Sequence, residues 1–204
     1  MRFSEHLKKA SLVGAFFVFV LFSLQAQALC SATGPLSRAD VATVIDGDTL
    51  RLRDGRSVRL IGLNAPELGR KGRKAEPYAQ AAKRRLQVLV DASDGRIGLR
   101  PGQQGRDHYG RVLAHAFDHR GANLEAALLV EGLGYFVAIA PNTVLADCHL
   151  RAEQRARDAG SGLWQRSPVI VAERVRRGGF AVVRARVERL EKNRSGLWLE
   201  LEGP

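Results

Sequence analysis

The sequence predicts an α+β fold, built mainly on a five-stranded β-barrel with about three helices packed against it. Apolar and charged residues alternate as in strands around position 50, and a turn sequence follows. The predicted elements then run as strands, a helix, and further strands and helices, the order expected of such a barrel. The chain has 204 residues, 45% of them hydrophobic, which suffices for a substantial core.

The first two predicted strands form a hairpin within residues 44–67. Leu50 and Leu52 alternate with two arginines, a pattern typical of a half-buried strand. Asp54-Gly55 favours a two-residue turn with positive φ, so residues 58–60 are expected to return as an antiparallel strand. This pairing would place position 48 near position 61.

Polar side chains collect at the open end of this predicted hairpin, opposite the turn. They are Asp46, Asp48, Arg59, Asn64 and Glu67. Carboxylate and amide oxygens suit a hard cation, and a guanidinium suits a phosphate. The hairpin therefore predicts a combined cation and phosphate site, although each residue alone is more typical of a solvated turn or strand face.

The middle of the chain predicts one helix and two strands. Pro77 begins a helix whose apolar face contains Ala79, Ala82, Leu86 and Leu89 and which Asp94-Gly95 follows. Residues 97–100 and 111–117 are the expected strands. The loop between them is expected to hold Gly102, Gly105 and the sequence Asp-His-Tyr-Gly at 107–110.

The remaining elements are two helices, a short strand and a hairpin. Asn123 is expected to cap a helix that ends near Gly132, followed by a strand over residues 135–140. A third helix contains Leu145, Cys148, Ala152 and Ala159 on one stripe and ends at Gly160. Alternation over residues 180–189 and 197–201, around a turn at 193–196, predicts a C-terminal hairpin that is marginal unless it docks on another surface.

The chain is strongly basic, with a formal net charge of +11 and a pI near 10.6. Such a charge indicates a polyanionic partner or surface. It does not separate an enzyme from a ribosomal-type or architectural binder.

Residues 1–28 are typical of a secretory signal peptide. A basic start precedes an apolar run over residues 12–24, and Ala26-Gln27-Ala28 supplies a small-residue cleavage site. An uncleaved membrane anchor is the alternative. The expected organisation is a signal at 1–28, a lead at 29–40, the main domain at 41–166 and an extension with a hairpin at 167–204.

The two cysteines, Cys30 and Cys148, both remain after cleavage of such a signal. An even pair in an oxidising compartment favours a disulfide that ties the new N-terminus to the third helix. Two unpaired thiols are the alternative.

Four motifs in order give a resemblance to a known family. They are Asp-Gly-Asp-Thr at 46–49, Arg-Leu-Ile-Gly-Leu-Asn-Ala-Pro-Glu at 59–67, Asp-His-Tyr-Gly-Arg at 107–111, and Leu-Arg-Ala-Glu-Gln at 150–154 closing on Gly-Leu-Trp at 162–164. From about Val41 to Trp164 the chain resembles the staphylococcal nuclease (thermonuclease) family. That family consists of calcium-dependent nucleases on an OB-fold barrel.

The resemblance implies a role for each motif residue. Asp48, Asn64 and the backbone carbonyl of Ala65 would bind Ca²⁺, and Glu67 would take a proton from the attacking water or orient it. Arg59 and Arg111 would bind the phosphate, and Tyr109 would hydrogen-bond a terminal phosphate. Asp46 and Asp107 would support these groups. The family's products carry a 3′-phosphate and a 5′-hydroxyl.

A basic run at residues 68–75 lies just beyond Glu67. Lys71 and Lys74 in it would capture the phosphate backbone of a substrate, although a solvated loop is an equally good interpretation. His108 and His115 are not expected to bind calcium, because a hard cation prefers oxygen.

The chain departs from the family's pattern in two places. Asn64 stands where the family usually has a second metal carboxylate, which should weaken calcium binding. Residues 137–140 read Val-Ala-Ile-Ala where the family supplies tyrosines beside the bound base, so base stacking there is expected to be lost.

The sequence therefore predicts an exported, monomeric, Ca²⁺-dependent endonuclease that acts on DNA and RNA and has no stable membrane association after signal cleavage. The main alternative is a catalytically weak OB-fold module that only binds nucleic acid. A basic envelope protein without a nucleic-acid role is a third interpretation. Degenerate binding modules lose the catalytic arginines and glutamate, whereas Arg59, Glu67 and Arg111 are all present here.

Overall fold

The structure, a computed structural model, describes residues 30–69, 72–176, 179–194 and 196–202. The predicted signal peptide at 1–28 and Lys71 lie outside the described residues. Within them, no helix is long and apolar enough to cross a membrane.

Five strands close into a barrel, as the sequence predicts. In chain order they are β1 Ser37–Val44, β2 Thr49–Leu52, β3 Ser57–Leu60, β5 Arg96–Arg106 and β6 Val112–Phe117. The order around the barrel is β1-β2-β3-β6-β5, which closes because β1 also pairs with β5. Only β3 and β6 run parallel among these pairs. Residues 37–40, which fall in the predicted lead, form the part of β1 that pairs with β5.

The hairpin of β2 and β3 is present, but its predicted turn is wrong by one residue. Thr49 lies opposite Arg59, so residues 53–55 form a three-residue loop in place of a two-residue turn. Gly55 has a φ of 88°, and its N–H donates to the Leu52 carbonyl. A tight turn followed by a left-handed glycine is a common hairpin connection. Position 48 consequently lies beside Leu60, whose N–H donates to the Asp48 carbonyl at 2.9 Å.

Three helices pack on the barrel. They are α1 Ala79–Asp91, α2 Leu124–Val130 and α3 Ala146–Asp158. Helix α1 contacts β1 and α2, and α2 also contacts β6 and α3. The Asn123 side chain accepts a hydrogen bond from the Ala126 N–H, which confirms the predicted cap. Helix α1 begins two residues after Pro77, with Tyr78 as its cap residue.

Two strand predictions beside the site are wrong in length. β5 continues to Arg106, so Gly102 and Gly105 lie in a strand, and the connecting loop shrinks to residues 107–111. Conversely, the predicted strand at 135–140 contracts to β7 Tyr135–Phe136, which pairs with β4 Leu63–Asn64 outside the barrel.

A buried polar cluster joins α2, α3 and β6. The carboxylate of Glu125 accepts from the Ala116 N–H and from the Asn123 side-chain amide. Nε2 of His149 lies 2.9 Å from the Asn123 side-chain oxygen. Burial, and next the proximity of His115, lower the pKa of His149 to about 3. His149 is therefore neutral at physiological pH and serves the packing of α3 rather than catalysis.

The predicted disulfide between Cys30 and Cys148 is present. It joins residues 118 positions apart and ties the start of the described chain to α3. The loop-closure entropy of a loop this long corresponds to about 4–5 kcal/mol, an upper figure in practice.

The C-terminal extension contains two small sheets. β8 Val169–Val171 pairs in parallel with β9 Val182–Arg184, an arrangement that the sequence did not predict. β10 Val187–Asn193 and β11 Gly196–Leu201 form the predicted hairpin, but its first strand begins at Val187 and not at residue 180, because Val182–Arg184 pair with β8 instead. Every residue of these last two strands is exposed, on both faces.

Candidate active site

The acidic end of the hairpin is drawn towards α1 by a close approach at Gly47. A Cβ atom at this position would lie 2.6 Å from the Ala65 Cβ and 2.7 Å from the Ala82 Cβ. No side chain fits in that space, so the Asp-Gly-Asp sequence needs its central glycine. The close approach sets the neighbouring Asp48 against the segment that follows β4.

Asp48 is a buried carboxylate, 6% exposed, with hydrogen bonds to both oxygens. The Thr49 hydroxyl donates to Oδ1 at 3.0 Å, and the Ala65 N–H donates to Oδ2 at 2.8 Å. The Arg59 guanidinium lies 3.0 Å from the same Oδ2. The carboxylate of Asp46 accepts from the Asp48 N–H, so Asp46 shapes the loop that presents Asp48.

Burial raises the pKa of Asp48 from 3.8 to about 6. The Arg59 charge opposes this effect, and the nearby negative charge of Asp46 adds to it. The ionised form of Asp48 is therefore costly here despite its hydrogen bonds and its arginine. An additional cation at this position would lower that cost.

Arg59 connects the two predicted side-chain ligands of the metal. Its Nη2 donates to the Asn64 side-chain oxygen at 3.2 Å, while Nη1 faces Asp48. Nη1 also donates to the Leu63 carbonyl at 2.8 Å. The positively charged guanidinium thus already lies between Asp48 and Asn64.

A second aspartate–arginine pair occupies the turn between β5 and β6. Oδ2 of Asp107 lies 2.7 Å from Nε of Arg111, and Oδ1 accepts from the backbone N–H groups of Tyr109 and Arg111. Burial acts to raise the pKa of Asp107, but the hydrogen bonds from Arg111 and Tyr109 outweigh it and the pKa is lowered. Asp107 is therefore a stable anion that folds the turn and orients Arg111.

Both phosphate-binding candidates face one cleft of about 400 Å³. Arg59 and Arg111 lie in its lining with Asp107 and His108. The parallel pairing of β3 with β6 explains this convergence, because it sets Arg59 opposite Leu113, two residues after Arg111.

Leu113, Val137 and Ile139 form an aliphatic wall of the cleft, and Gln104, His108 and Asn142 add polar side chains to the same lining. The segment that contains Val137 and Ile139 is held by Asn142, whose side chain forms two hydrogen bonds with the backbone of Gln104. The wall thus offers van der Waals contact but no platform on which a base could stack.

The predicted metal ligands fit a hard cation only in part. Asp48 and Asn64 present oxygens on either side of the Arg59 guanidinium. The Ala65 residue is placed beside Asp48, although the contact that the structure shows is made by its N–H. Among the described residues, no group of three or more His, Cys, Asp and Glu side chains could hold a metal ion. The oxygen-only donor set suits calcium, but it brings little charge.

Glu67 lies just outside this group. Its side chain is exposed, and the described residues show no contact of it with Asp48, Arg59 or Arg111. The backbone N–H of Glu67 donates to the Glu76 carboxylate, and its carbonyl accepts from the Glu76 N–H. These bonds close the base of the basic loop and hold Glu67 at its rim. In that loop Lys74 is exposed, and Tyr109 is 73% exposed at the edge of the other turn.

Four residues around this cleft and a neighbouring one were not predicted from the sequence. Gln104 and Asn142 fix the aliphatic wall, and Arg51 and Arg106 line a second cleft beside Arg111. The alternation around position 50 marked Arg51 as an outward-facing strand residue. Its convergence with Arg106 is a tertiary property that no local pattern contains.

The family described as "Staphylococcal nuclease homologue" matches residues 57–166 of the chain. Endonuclease YncB of Bacillus subtilis (strain 168) is 31% identical over 127 residues, which cover 60% of this chain and 59% of that protein. The thermonuclease of Staphylococcus intermedius is 30% identical over 130 residues, covering 62% and 75%.

A second Bacillus subtilis relative, the SPbeta prophage-derived endonuclease YokF, is 29% identical over 127 residues. The match covers 60% of this chain and 42% of that protein. The chain thus spans about half the length of these two Bacillus relatives, 59% of one and 42% of the other.

Proposed function

The chain belongs to the staphylococcal nuclease family, and from this premise we propose that it is a Ca²⁺-dependent endonuclease that hydrolyses DNA and RNA. The observation that supports the proposal most strongly is the convergence of Arg59 and Arg111 on one cleft, beside the buried carboxylate of Asp48. Two guanidiniums can bind the oxygens of one phosphate through paired hydrogen bonds.

Asp48 and Asn64, with an oxygen of the Ala65 backbone, would hold the calcium ion. A bound Ca²⁺ supplies positive charge to the non-bridging oxygens of the phosphate and a site for the attacking water. Weak binding is expected, because Asn64 contributes no charge.

The chain's own residues would then act on the phosphate. Arg59 and Arg111 bind its oxygens and follow the charge that grows on them in the five-coordinate transition state. Glu67 accepts a proton from water as the water oxygen bonds to phosphorus. The bond from phosphorus to the 5′ oxygen breaks, and that oxygen takes a proton from solvent water and leaves as a hydroxyl. The products are a 3′-phosphate and a 5′-hydroxyl.

Action on both DNA and RNA is part of the proposal because the contacts assigned to Arg59 and Arg111 are made to phosphate oxygens, which both polymers carry. Sugar type is therefore expected to matter little.

Export is the second part of the proposal, in a monomeric form without stable membrane association. Residues 1–28 have the pattern of a cleavable signal, and the Cys30–Cys148 bond is of a kind that persists in oxidising compartments. Thiol labelling of the unreduced exported protein tests this part. No reactive thiol is expected, and two per chain would contradict it.

The activity is tested with the exported protein on supercoiled plasmid and on single-stranded RNA. Cleavage of both is expected with Ca²⁺ and not with excess chelator, and the new ends should accept phosphate only at their 5′ side. Undiminished cleavage in chelator would contradict the role of calcium. Binding without cleavage under either condition would instead favour the nucleic-acid-binding module.

A further inference from the structure

A second cleft, of about 530 Å³, shares Arg111 with the first. It runs between the β2–β3 loop and the turn that joins β5 to β6, and its side chains include Arg51, Asp54, Arg56, Arg106, Tyr109 and Arg111. Arg111 lines both clefts, so this arginine cleft continues from the proposed active site. Its volume falls in the range of ordinary ligand sites.

Positive charge dominates the lining. Four arginines face one carboxylate, that of Asp54, and Asp54 is fully engaged by Arg56 at 2.7 Å. Arg111 is paired with Asp107, which does not line this cleft. Two arginines, Arg51 and Arg106, have no carboxylate partner among the described residues. The cleft therefore presents uncompensated charge to solvent.

These two arginines are nevertheless held in place. Nη1 of Arg51 donates to the Gly55 carbonyl at 3.1 Å, and Nη1 of Arg106 donates to the Gly110 carbonyl at 2.7 Å. A guanidinium has five N–H donors, so most of them stay available to a ligand. Carbonyl anchors orient a guanidinium without neutralising it, which is the arrangement that a phosphate site requires.

An outward-facing arginine on a strand is usually just solvated, but two features argue against that interpretation here. Arg51 and Arg106 come from strands distant in the sequence and converge on one concave surface. That surface shares Arg111 with the active-site cleft. Isolated solvated arginines would show neither the convergence nor the continuity.

We infer that the arginine cleft binds phosphates of a single-stranded polynucleotide that neighbour the phosphate being cleaved. This inference rests on the proposed function. Tyr109 is 73% exposed at the rim, with the Arg111 guanidinium 5.4 Å from its ring centroid and the His108 ring 3.7 Å away. The exposed part of the ring can contact a base only when that base is unpaired. Arg51 and Arg106 are thereby substrate-binding residues outside the four family-like motifs.

The cleft should make affinity depend on the length of the strand. A dinucleotide that fills the active-site cleft gains little from Arg51 and Arg106, whereas a twelve-nucleotide strand reaches both. Each phosphate contact to a single strand adds about 0.7 to the slope of log affinity against log salt concentration. Two contacts should therefore account for about 1.4 of the slope measured with the long strand.

The test is a binding titration in chelator, where the strand is not cut. It compares the double variant Arg51→Gln/Arg106→Gln with a matched control, Arg84→Gln/Arg151→Gln. The control removes the same charge from exposed positions on α1 and α3 that line neither cleft. The probes are a labelled dinucleotide and a labelled twelve-nucleotide DNA strand, and circular dichroism melting verifies folding.

The expected result is a loss of about tenfold or more in affinity for the long strand, with the salt slope reduced by about 1.4. The ratio of long-strand to dinucleotide affinity should fall in the double variant and not in the control. Arg51→Lys/Arg106→Lys, which keeps the charge, should retain most of the slope. Equal losses in the double variant and the control, or an unchanged ratio, would overturn the inference.

This binding result is independent of whether the protein cleaves. If the wild type fails to cut with Ca²⁺ and still shows the length effect, the proposed endonuclease activity fails and the arginine cleft stands. If it cuts and the length effect is absent, the arginine cleft fails and the activity stands.

Discussion

The two aspartate–arginine pairs beside the candidate active-site cleft have the same chemistry, but the pKa values of their carboxyl groups are shifted in opposite directions. Asp48 faces Arg59 at 3.0 Å, and Asp107 faces Arg111 at 2.7 Å. The pKa of Asp48 is raised to about 6, whereas that of Asp107 is lowered. The separation from the arginine differs little, so distance alone does not explain the contrast.

The difference comes from what else surrounds each carboxylate. Asp48 is buried beside the charge of Asp46, and its hydrogen bonds do not offset the loss of water. Asp107 sits in a turn where Arg111 and two backbone N–H groups donate to it. Asp107 is therefore structural and already satisfied by its donors, while Asp48 is a costly anion that a further cation would stabilise.

The largest effect is expected on activity when either arginine is removed. Charge-assisted contacts that strengthen in the transition state are worth about 3–4 kcal/mol, so Arg59→Ala and Arg111→Ala should each lower kcat by roughly a hundredfold to a thousandfold. Steady-state cleavage of plasmid measures this effect.

Lys74→Ala is the control for this loss, since Lys74 is exposed in the basic loop. It should mainly weaken binding and reduce its salt dependence. Equal loss of kcat in Lys74→Ala and Arg59→Ala would show that the arginines act only through general charge.

The next largest effect concerns stability. Asp48→Asn should abolish calcium-dependent cleavage and yet stabilise the fold at neutral pH, because it removes an anion whose pKa burial raises to about 6. Asp107→Asn should instead destabilise the fold by about 1–2 kcal/mol, because it weakens charge-assisted hydrogen bonds. Urea unfolding of both variants measures the contrast.

The pH dependence of the Asp48→Asn effect has a definite sign. The folded pKa of about 6 lies above the ordinary 3.8, so the ionised Asp48 destabilises the wild type fully above pH 6 and not at all below about pH 3.8. The stability gap between Asp48→Asn and the wild type should narrow as the pH falls through this window. A gap that stays constant from pH 7 to pH 4 would mean that Asp48 is not a costly anion.

The smallest effect is expected at Asn64, whose side-chain oxygen contacts the guanidinium of Arg59. Asn64→Asp adds a charge beside Asp48 and should tighten calcium by about tenfold, or 1.4 kcal/mol. A calcium titration of activity at fixed ionic strength measures it. An unchanged half-saturation point would place residue 64 outside the metal site.

Local patterns predicted the barrel, the capped helix at Asn123 and the motif residues. Alternation identifies strands because one face is buried, and Leu50 and Leu52 are indeed buried. The disulfide followed from the even number of cysteines and the signal-like N-terminus.

What the sequence could not predict depends on contacts between distant segments. Asp48 and Asp107 look alike in the sequence, and only burial and hydrogen bonding separate them. The turn at Gly55 shifted by one residue because two turn types share the same Asp-Gly signal. His149 is polar in the sequence and fully buried in the structure, because Asn123 and the α3 packing accommodate it.

The central claim, that Asp48 is a costly anion awaiting a cation, is tested most directly by the thermal unfolding of the wild type and Asp48→Asn over a calcium titration. We expect the unfolding midpoint of the wild type to rise with Ca²⁺, because an ion that binds only the folded state stabilises it. The unfolding midpoint of Asp48→Asn should stay constant. Equal shifts in both proteins, or no shift in a wild type whose cleavage still requires calcium, would contradict the claim.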